Sequence, residues 1–286
     1  MSRNKLEDML VKARKMLKNE GVGEYQLDAQ LFMMKATGFT KVQLFTKNDY
    51  CLNNNEAEDF WDMVNKRAKR IPTQYIIGNC QFMGLDFLVS EAVLIPRQDT
   101  EILVETILEY RKNNEINNII DIGTGSGCIP ISLLSYGINN AVAVDISNDA
   151  IEVAKKNAAL NKVLNRIQFV NSNLFEALGE EYYGKFDAIV SNPPYIAKDI
   201  IKGLMPEVKD FEPMIALDGG DDGLDFYKKI VPEGKKYLSS NGWMFFEIGY
   251  DQGVAVSRLL EAEGFQKVEV IKDLAGLDRV VLGKMG

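Results

Sequence analysis

The most informative absence is histidine, which occurs nowhere among the 286 residues. Without an imidazole, Ser-His-Asp and Cys-His nucleophile systems, histidine acid–base catalysis and histidine-ligated metals are excluded. Only three cysteines occur, and Cys51, Cys80 and Cys128 stand far apart, so neither a metal cluster nor a disulfide framework is expected. This pattern predicts a protein without bound metal in a reducing, cytoplasmic compartment.

Long apolar runs are also missing. No segment approaches the roughly 20 residues needed to span a bilayer, and the first residues, MSRNKLEDMLVKARKML, lack the apolar core of a signal peptide. Acidic residues outnumber basic ones, 41 to 33, so the net charge is −8 and nucleic acid would repel the chain as a whole. We therefore expect no membrane partner and no direct nucleic-acid contact. A monomer is the expected oligomeric state, although neither the charge nor the apolar pattern determines it.

Three segments predict an N-terminal helical domain over residues 1–70. The second segment, LDAQLFMMKATG (27–38), ends at Gly38, which suits a C-cap. The third, NNEAEDFWDMVNKRAKR (54–70), places four apolar residues on one face. Helical spacing of apolar residues is present in the first and third segments, at Leu6, Met9, Leu10, Ala13 and Leu17 and at Phe60, Trp61, Val64 and Ala68.

Residues 71–96 are interpreted as a β-hairpin linker. Two extended stretches, 74–77 and 85–89, flank a glycine-containing segment, and Pro72 and Pro96 stand near the two ends. Thr100 is expected to cap the helix that follows, EILVETILEYRK.

Residues 97–286 predict an α/β domain. From about residue 117 the segments alternate, beginning with a strand in NNIIDIG, a helix in SGCIPISLLSYG and a strand in AVAVDIS. Such alternation is typical of a doubly wound, mostly parallel sheet with helices on both faces, here of seven strands. The last two strands, in FQKVEVIKDL and DRVVLG, are too close for a crossover helix and predict an antiparallel hairpin at the sheet edge.

The first strand–helix junction is the glycine-rich turn Gly123-Thr124-Gly125-Ser126-Gly127, within DIGTGSG. Its glycines permit close approach to a ligand at a helix N-terminus. The spacing is GxGxG, and Cys128 replaces the third glycine of a dinucleotide fingerprint, which counts against a nicotinamide enzyme. Asp145 ends the second strand, where a carboxylate can bind two ribose hydroxyls. Together these features predict a nucleoside cofactor.

The segment Asn192-Pro193-Pro194-Tyr195 directly follows the strand FDAIVS, at the edge of the sheet where ligands bind. Both prolines lack an N–H donor, so the Asn192 side-chain oxygen and the Pro193 carbonyl are left as acceptors. Two acceptors suit a planar –NH₂ group, and Tyr195 offers a surface for stacking. The pattern predicts catalysis by orientation of a poorly nucleophilic nitrogen.

The glycine turn and the Asn-Pro-Pro-Tyr motif together resemble class I S-adenosylmethionine-dependent methyltransferases that modify planar nitrogens. Further segments make the chain similar to the HemK/PrmC family of bacterial release factor glutamine methyltransferases, from about residue 70 to the C-terminus. These are PTQYIIG (72–78), LIPRQDTEILVE (94–105), DIGTGSGCI (121–129), FEPMIALDGGDDGLDFY (211–227) and EIGYDQG (247–253). The preceding helices fit the N-terminal helical domain of that family.

This resemblance implies methylation of the glutamine side-chain amide in the Gly-Gly-Gln motif of class I peptide chain release factors. It implies that residues 123–127 and Asp145 bind S-adenosylmethionine, that Asn173 and Leu174 border its adenine, and that residues 192–195 hold the glutamine, with Asn192 also near the methyl group. Two positions depart from the family pattern, Gln98 where proline is common and Asn173 where aspartate is common. Asparagine can still hydrogen-bond to adenine, so the change at Asn173 bears on the affinity for the cofactor rather than on the identity of the cofactor.

Three residues lie in family-like segments without a chemical role that the sequence assigns, namely Arg97, Glu212 and Glu247. The simpler interpretation is that they brace the loops around the pocket.

Two alternatives to the main interpretation stay open. A DNA adenine methyltransferase would present the same two hydrogens to the site, but the acidic chain lacks a basic target-recognition segment. A non-catalytic scaffold would have no need for an intact glycine turn and Asn-Pro-Pro-Tyr motif.

Overall fold

The structure is a computed structural model that describes residues 4–286. Two compact units divide the chain. The helical unit comprises the residues up to Gly78 together with Met205–Phe211, and the α/β unit comprises Asn79–Leu204 and Glu212–Gly286. Among the described residues, no helix has the length and apolar character that a bilayer-spanning segment needs.

The helical unit confirms the three predicted helices and adds short ones. Capping boxes at Thr40 and Asn53 begin the third and fourth helices, and Gly38 ends the second at φ 69°. All five apolar residues predicted for the first helix are buried. The helices are α1 Leu6–Asn19, α2 Tyr25–Thr37, α3 Lys41–Thr46, α4 Asn54–Ala68 and α5 Thr73–Ile77, with Pro206–Lys209 (α10) from later in the chain.

A buried polar network ties parts of this unit together. Arg67 donates to Asp28 at 2.8 Å, and Thr73 donates to the other oxygen of the same carboxylate at 2.7 Å. Arg67 also pairs with Glu207 at 3.0 Å, and Arg70 donates to Glu207 through two nitrogens. Because each buried charge has a partner, the network avoids the cost of an isolated ion.

The α/β unit contains nine strands. Its helices are α6 Gln98–Arg111, α7 Cys128–Ser135, α8 Asn148–Leu160, α9 Lys198–Ile201, α11 Asp225–Gly234 and α12 Gly253–Ala262. Its strands are β1 Asn79–Phe82, β2 Leu85–Leu88, β3 Asn118–Ile122, β4 Asn140–Asp145, β5 Ile167–Asn171, β6 Phe186–Ser191, β7 Leu238–Glu247, β8 Phe265–Lys272 and β9 Asp278–Met285.

The main sheet has seven strands in the order β5-β4-β3-β6-β7-β9-β8. The first five of these strands are parallel to one another. Strand β9 is antiparallel to both of its neighbours, β7 and β8, and β8 forms the edge. This arrangement confirms the predicted sheet and its terminal hairpin. Successive residues of β3 point to opposite faces: Ile119 packs in the cluster with α6 and α7, and Ile120 in the cluster with α11 and α12. Burial on both faces explains the apolar runs of the parallel strands.

Two local predictions are wrong. Residues 74–77 form most of α5 rather than a strand, and the hairpin consists of β1 and β2, with Asn79 opposite Leu88. Thr100 does not cap α6, because that helix begins at Gln98 after Arg97. Thr100 instead lies inside the first turn, where it is 2% exposed.

Candidate active site

A cavity opens at the carboxyl ends of β3, β4 and β6, where the strand order reverses between β3 and β6. It holds about 1110 Å³ of empty space, part of it open to solvent. Apolar side chains such as Val144, Leu174 and Phe226 form much of the wall, beside a few polar groups. An apolar pocket of this size with a few convergent polar groups is typical of a small-molecule site.

Most of the residues that the sequence singled out line this cavity. Gly127 and Tyr195 do not: Gly127 is the N-cap of α7, and Tyr195 packs against the apolar cluster on the side of α11 and α12. The lining residues among the candidates are Gly123, Thr124, Gly125, Ser126, Asp145, Asn173, Leu174, Asn192, Pro193 and Pro194.

The three glycines of the turn have different surroundings, although each has a positive φ, at 77°, 54° and 79°. A Cβ at Gly123 or Gly125 would meet no atom within 4 Å, so these two face open space. A Cβ at Gly127 would lie 2.8 Å from Ile131 Cδ1 and 3.2 Å from Ala154 Cβ. The first two glycines therefore expose backbone to the cavity, and the third allows α7 and α8 to pack closely.

Asp145 is held at the end of β4 by two backbone donors. Its Oδ2 accepts from the Gly125 N–H at 2.8 Å and its Oδ1 from the Ser147 N–H at 2.9 Å. Burial raises the pKa of Asp145, and these backbone hydrogen bonds act in the opposite direction. The carboxylate is thus fixed in orientation beside the glycine turn, with acceptor capacity left for a hydroxyl ligand.

The loop after β5 places Leu174 against the cavity in a left-handed conformation, at φ 51°. Such a backbone costs a non-glycine residue about 1–3 kcal/mol and is concentrated at ligand sites. The neighbouring Asn173 donates through Nδ2 to Glu176 Oε1 at 2.7 Å. The Asn173 side chain is therefore engaged within its own loop, while Leu174 supplies an apolar wall.

The Asn-Pro-Pro-Tyr turn is fixed at both ends. Just before it, the Ser191 hydroxyl donates to the Ile122 carbonyl of β3 at 2.6 Å. At its far end, the Tyr195 carbonyl accepts from Gln252 Nε2 at 3.0 Å. Asn192 Nδ2 donates to Thr100 Oγ1 at 3.3 Å. The turn is thereby held from three different parts of the α/β unit.

Two glycines that the sequence analysis left without a role also support this turn. A Cβ at Gly219 would lie 2.8 Å from Pro194 O and from Tyr195 Cα, and one at Gly223 would lie 2.4 Å from Tyr195 O. The LDGGDDG segment can therefore pack directly on the backbone of the turn only with glycine at these positions. The clustering of glycines was the signal available in the sequence.

Asn157 of α8 is a second residue that the sequence analysis missed. It is fully buried, donates through Nδ2 to the Leu88 and Ser126 carbonyls at 3.0 and 2.9 Å, and accepts from the Leu88 N–H at 2.7 Å. It thus connects strand β2 to the glycine turn. A single asparagine in an amphipathic helix carries no sequence signal for this role.

Arg97 and Glu212 form an ion pair at the cavity. Arg97 Nη2 lies 2.6 and 2.7 Å from the two oxygens of Glu212, whose side chain is 1% exposed while that of Arg97 is 40% exposed. Burial raises the pKa of Glu212, and the Arg97 charge opposes this effect. The pair joins the segment before α6 to the segment before Pro213, and both Arg97 and Pro213 line the cavity.

Comparisons with known proteins agree with this geometry. A family model described as the PrmC N-terminal domain matches residues 8–78, and one described as ribosomal protein L11 methyltransferase (PrmA) matches residues 98–214. The catalytic domain of human Mettl16, solved with an RNA hairpin, aligns with a TM-score of 0.55 at 21% identity over 71% of this chain and 76% of its own. A methyltransferase from Pyrococcus furiosus aligns with a TM-score of 0.52 at 17% identity over 78% and 98%. The fold is that of a class I methyltransferase.

Relatives in sequence define the family more narrowly. A release factor glutamine methyltransferase from Clostridium acetobutylicum is 44% identical over 99% of both chains. One from Agrobacterium fabrum is 40% identical over 95% of this chain and 94% of its own. The chain belongs to the release factor glutamine methyltransferase family.

Proposed function

We propose that this enzyme transfers a methyl group from S-adenosylmethionine to the side-chain amide nitrogen of the glutamine in the Gly-Gly-Gln motif of class I peptide chain release factors. The observation that carries the proposal is the position of residues 192–194, which line the same cavity as the glycine turn and Asp145. In this proposal, a nucleoside site and a pair of hydrogen-bond acceptors for an –NH₂ group share one pocket.

The residues present fit S-adenosylmethionine. Gly123 and Gly125 face open space and leave room for a ligand to approach their backbone. The oriented carboxylate of Asp145 suits the two ribose hydroxyls, and Leu174 supplies an apolar surface for the adenine. When bound, S-adenosylmethionine supplies a methyl group on a positively charged sulfur, which makes that carbon electrophilic.

In this proposal, the Asn192 side-chain oxygen and the Pro193 carbonyl accept the two hydrogens of the glutamine amide. The nitrogen lone pair is then directed at the methyl carbon. With S-adenosylmethionine bound, the new N–C bond would form as the S–C bond breaks, and the electron pair of that bond would stay on the sulfur of the departing S-adenosylhomocysteine. The amide proton is lost to water after the transfer, because a methylated amide cation is very acidic. The residues contribute orientation and electrostatic stabilisation rather than a strong base.

The α/β unit carries the proposed chemistry, and residues 1–70 are proposed to contact the body of the release factor, with residues 71–96 as a linker. A macromolecular substrate must present one glutamine to a pocket while the rest of the protein binds outside it. We propose that the enzyme acts as a monomer in the cytoplasm.

The test is transfer of labelled methyl from S-adenosylmethionine to three substrates: a purified release factor, the same factor with the glutamine of Gly-Gly-Gln replaced by alanine, and duplex DNA. Label on the wild-type factor alone supports the proposal. Label on DNA alone would replace it with the DNA adenine activity, and equal label on both forms of the factor would refute the assigned site.

The Asn192→Ala enzyme tests the mechanism. It should lose methyl transfer by at least about a hundredfold, as expected when a group that positions the reacting atom is removed. Because the glycine turn and Asp145 are intact, cofactor affinity measured by calorimetry should stay within a fewfold of that of the wild type. Unchanged turnover would contradict the role given to Asn192.

A further inference from the structure

Gln252 directly precedes α12, and its side chain does not serve that helix. It is the N-cap residue, yet its side chain forms no capping hydrogen bond to the first turn. Asparagine, aspartate, serine and threonine are preferred at such a position, because their short side chains reach the free backbone N–H groups. A glutamine here therefore indicates a different use for its side chain.

The side-chain amide of Gln252 is fully engaged by three backbone groups. Its Oε1 accepts from the Gly249 N–H at 2.9 Å, and its Nε2 donates to the Tyr195 carbonyl at 3.0 Å and to the Gly223 carbonyl at 3.1 Å. An N–H only donates and a carbonyl only accepts, so these partners allow a single orientation of the amide. The residue is 9% exposed, which leaves water little access to these bonds. Gln252 thus links the Asn-Pro-Pro-Tyr turn to the LDGGDDG segment.

The LDGGDDG segment is shaped to admit this link. It runs beside the end of the turn, where the Ile196 N–H donates to the Leu217 carbonyl at 3.1 Å. A Cβ at Gly223 would lie 2.4 Å from the Tyr195 carbonyl oxygen and 2.6 Å from Gln252 Nε2. Because Gly223 has no side chain, the amide of Gln252 can reach both carbonyls.

The Tyr195 side chain forms a second contact, with the end of β7. Its hydroxyl donates to Glu247 Oε1 at 3.4 Å, a long distance for an O–H donor. The phenol is also at the end of a rotatable side chain, whereas the Tyr195 carbonyl is part of the backbone of the turn. The bond from Gln252 is therefore the contact that constrains the backbone.

Between its two ends the turn has little conformational freedom. At its start, the Ser191 hydroxyl donates to a carbonyl of β3 at 2.6 Å. The rings of Pro193 and Pro194 fix their φ angles at about −65°. Few dihedral angles remain between the Tyr195 carbonyl, which Gln252 holds, and the Pro193 carbonyl, which is a proposed acceptor for the substrate amide. A shift of the first carbonyl is therefore passed on to the second.

We propose that Gln252 is a positioning residue for the methyl transfer: its amide holds the Tyr195 carbonyl and, through the two prolines, sets the position of the Pro193 carbonyl. Pro193 lines the cavity, whereas Gln252 is not among the lining residues in the described part of the chain. Gln252 therefore acts on the substrate amide only through the turn. The inference rests on the proposed function, because that function makes the Pro193 carbonyl an acceptor.

Two substitutions separate hydrogen-bond donation from packing. Gln252→Glu keeps the shape but replaces both N–H donors by an oxygen that faces two carbonyl oxygens. Gln252→Met keeps a similar volume and introduces neither a donor nor a charge. Positioning predicts that Gln252→Glu lowers kcat for release factor methylation by about 10- to 100-fold and that Gln252→Met lowers it by a smaller factor. Affinity for S-adenosylmethionine, measured by calorimetry, should stay within a fewfold of that of the wild type, because the glycine turn and Asp145 are intact.

Gln266→Glu, at an exposed position of β8, is the matched control for the added negative charge and should retain the wild-type kcat. Thermal unfolding of each variant verifies that it is folded at the assay temperature. If Gln252→Glu does not fold, Gln252→Met tests the same prediction without an introduced charge, and a full kcat in that variant would overturn the proposal.

A packing role predicts that Gln252→Glu, the variant closest in shape, retains most of kcat, and that result would overturn the proposal. Equal losses in kcat and in cofactor affinity would also overturn it, because they would indicate general damage to the α/β unit. If the wild-type enzyme does not methylate the release factor, the proposed function is wrong. If it does, and Gln252→Glu retains full kcat, only the positioning inference is wrong.

Discussion

Asp121, in β3 directly before the glycine turn, makes the stability of the α/β unit depend on pH. The residue is fully buried, and neither carboxylate oxygen has a hydrogen-bond partner among the described residues. Burial raises the pKa of Asp121 to about 7, and the nearby charge of Asp145 adds to this effect. In the unfolded chain the same group has a pKa near 3.8. The folded state therefore binds this proton more tightly than the unfolded state does.

The sign follows from linkage. Well below pH 3.8 the carboxyl group is protonated in both states, so it adds no pH dependence to the free energy of unfolding. As the pH rises toward 7, only the unfolded chain ionises, and the free energy of unfolding falls until the folded group ionises as well. The full change in the free energy of unfolding amounts to roughly 4 kcal/mol, of which roughly 2–3 kcal/mol falls between pH 5 and pH 8.

The Asp121→Asn variant removes this titration while keeping the shape of the side chain. Urea unfolding of both proteins without cofactor, between pH 5 and pH 8, gives the difference in stability at each pH. A Trp61→Phe background leaves Trp243 of β7 as the single tryptophan and thus as a reporter of the α/β unit. Wild type should lose roughly 2–3 kcal/mol of unfolding free energy relative to the variant across this range.

Glu105→Gln, at an exposed position of α6, is the matched control for loss of one negative charge. A wild-type minus Asp121→Asn difference that is equal at pH 5 and pH 8 would refute the reasoning, because it would mean that burial does not keep this group protonated. The pH-independent part of the difference carries no such information, since a buried asparagine amide has its own cost.

Three further predictions concern the supports of the site. Gly127→Ala should destabilise the α/β unit by about 2–4 kcal/mol, from overlap with α7 and α8 and from its positive φ. Asn157→Ala should cost about 2–3 kcal/mol, because it leaves one buried and two partly buried backbone groups without their partner. Asp145→Asn should weaken S-adenosylmethionine binding, measured by calorimetry, by roughly tenfold or more, because a charged acceptor is lost.

Each of these has a matched comparison. Gly276→Ala has a similar positive φ, at 82°, and open space around the new Cβ, so equal losses at Gly276 and Gly127 would contradict the packing argument. Asn161→Ala, one turn further along the chain and bonded to the Asp86 carbonyl, should cost less than Asn157→Ala because its backbone partners remain accessible to water. Unaltered cofactor affinity in Asp145→Asn would remove this residue from the binding site.

The sheet and its edge could be predicted because their signals are local and repeated. The inner parallel strands, such as β3 and β6, are buried on both faces and read as apolar runs, and helices α7 and α8 separate β3, β4 and β5 along the chain. The short gap between β8 and β9 excluded a crossover, and the antiparallel hairpin at the edge follows directly. The Asn-Pro-Pro-Tyr motif could be placed at the cavity for the same reason, since it directly follows β6.

The same reasoning failed for short elements and for the exact start of a helix. The segment Tyr75-Ile76-Ile77 has the aromatic and β-branched residues of a strand, but it lies between Pro72 and Gly78 and forms one helical turn, ended by Gly78 at φ 83°. Five residues are too few for periodicity to distinguish the two structures. At Thr100, the preference of threonine for the N-cap was overridden, because the helix starts two residues earlier and the side chain is buried.

Contacts between distant residues lay beyond sequence reasoning altogether. Thr100 and Asn192 are 92 residues apart, and Asn157 meets Leu88 over 69. Propensity and periodicity describe near neighbours and carry no information about such pairs. The residues that chemistry requires could therefore be named from a motif, whereas the residues that hold them in place required the structure.

The absence of histidine is consistent with what the site has to do. Methyl transfer to an amide needs two acceptors that fix the plane of the –NH₂ group, and the proton leaves only after the transfer. A base is therefore not required before the transition state. Burial raises the pKa of Tyr195 well above its usual value, so its hydroxyl stays protonated at neutral pH and does not act as a base. In the proposed mechanism the catalytic demand falls on orientation, and hydrogen bonds of Thr100, Ser191 and Gln252 hold the Asn-Pro-Pro-Tyr turn in place.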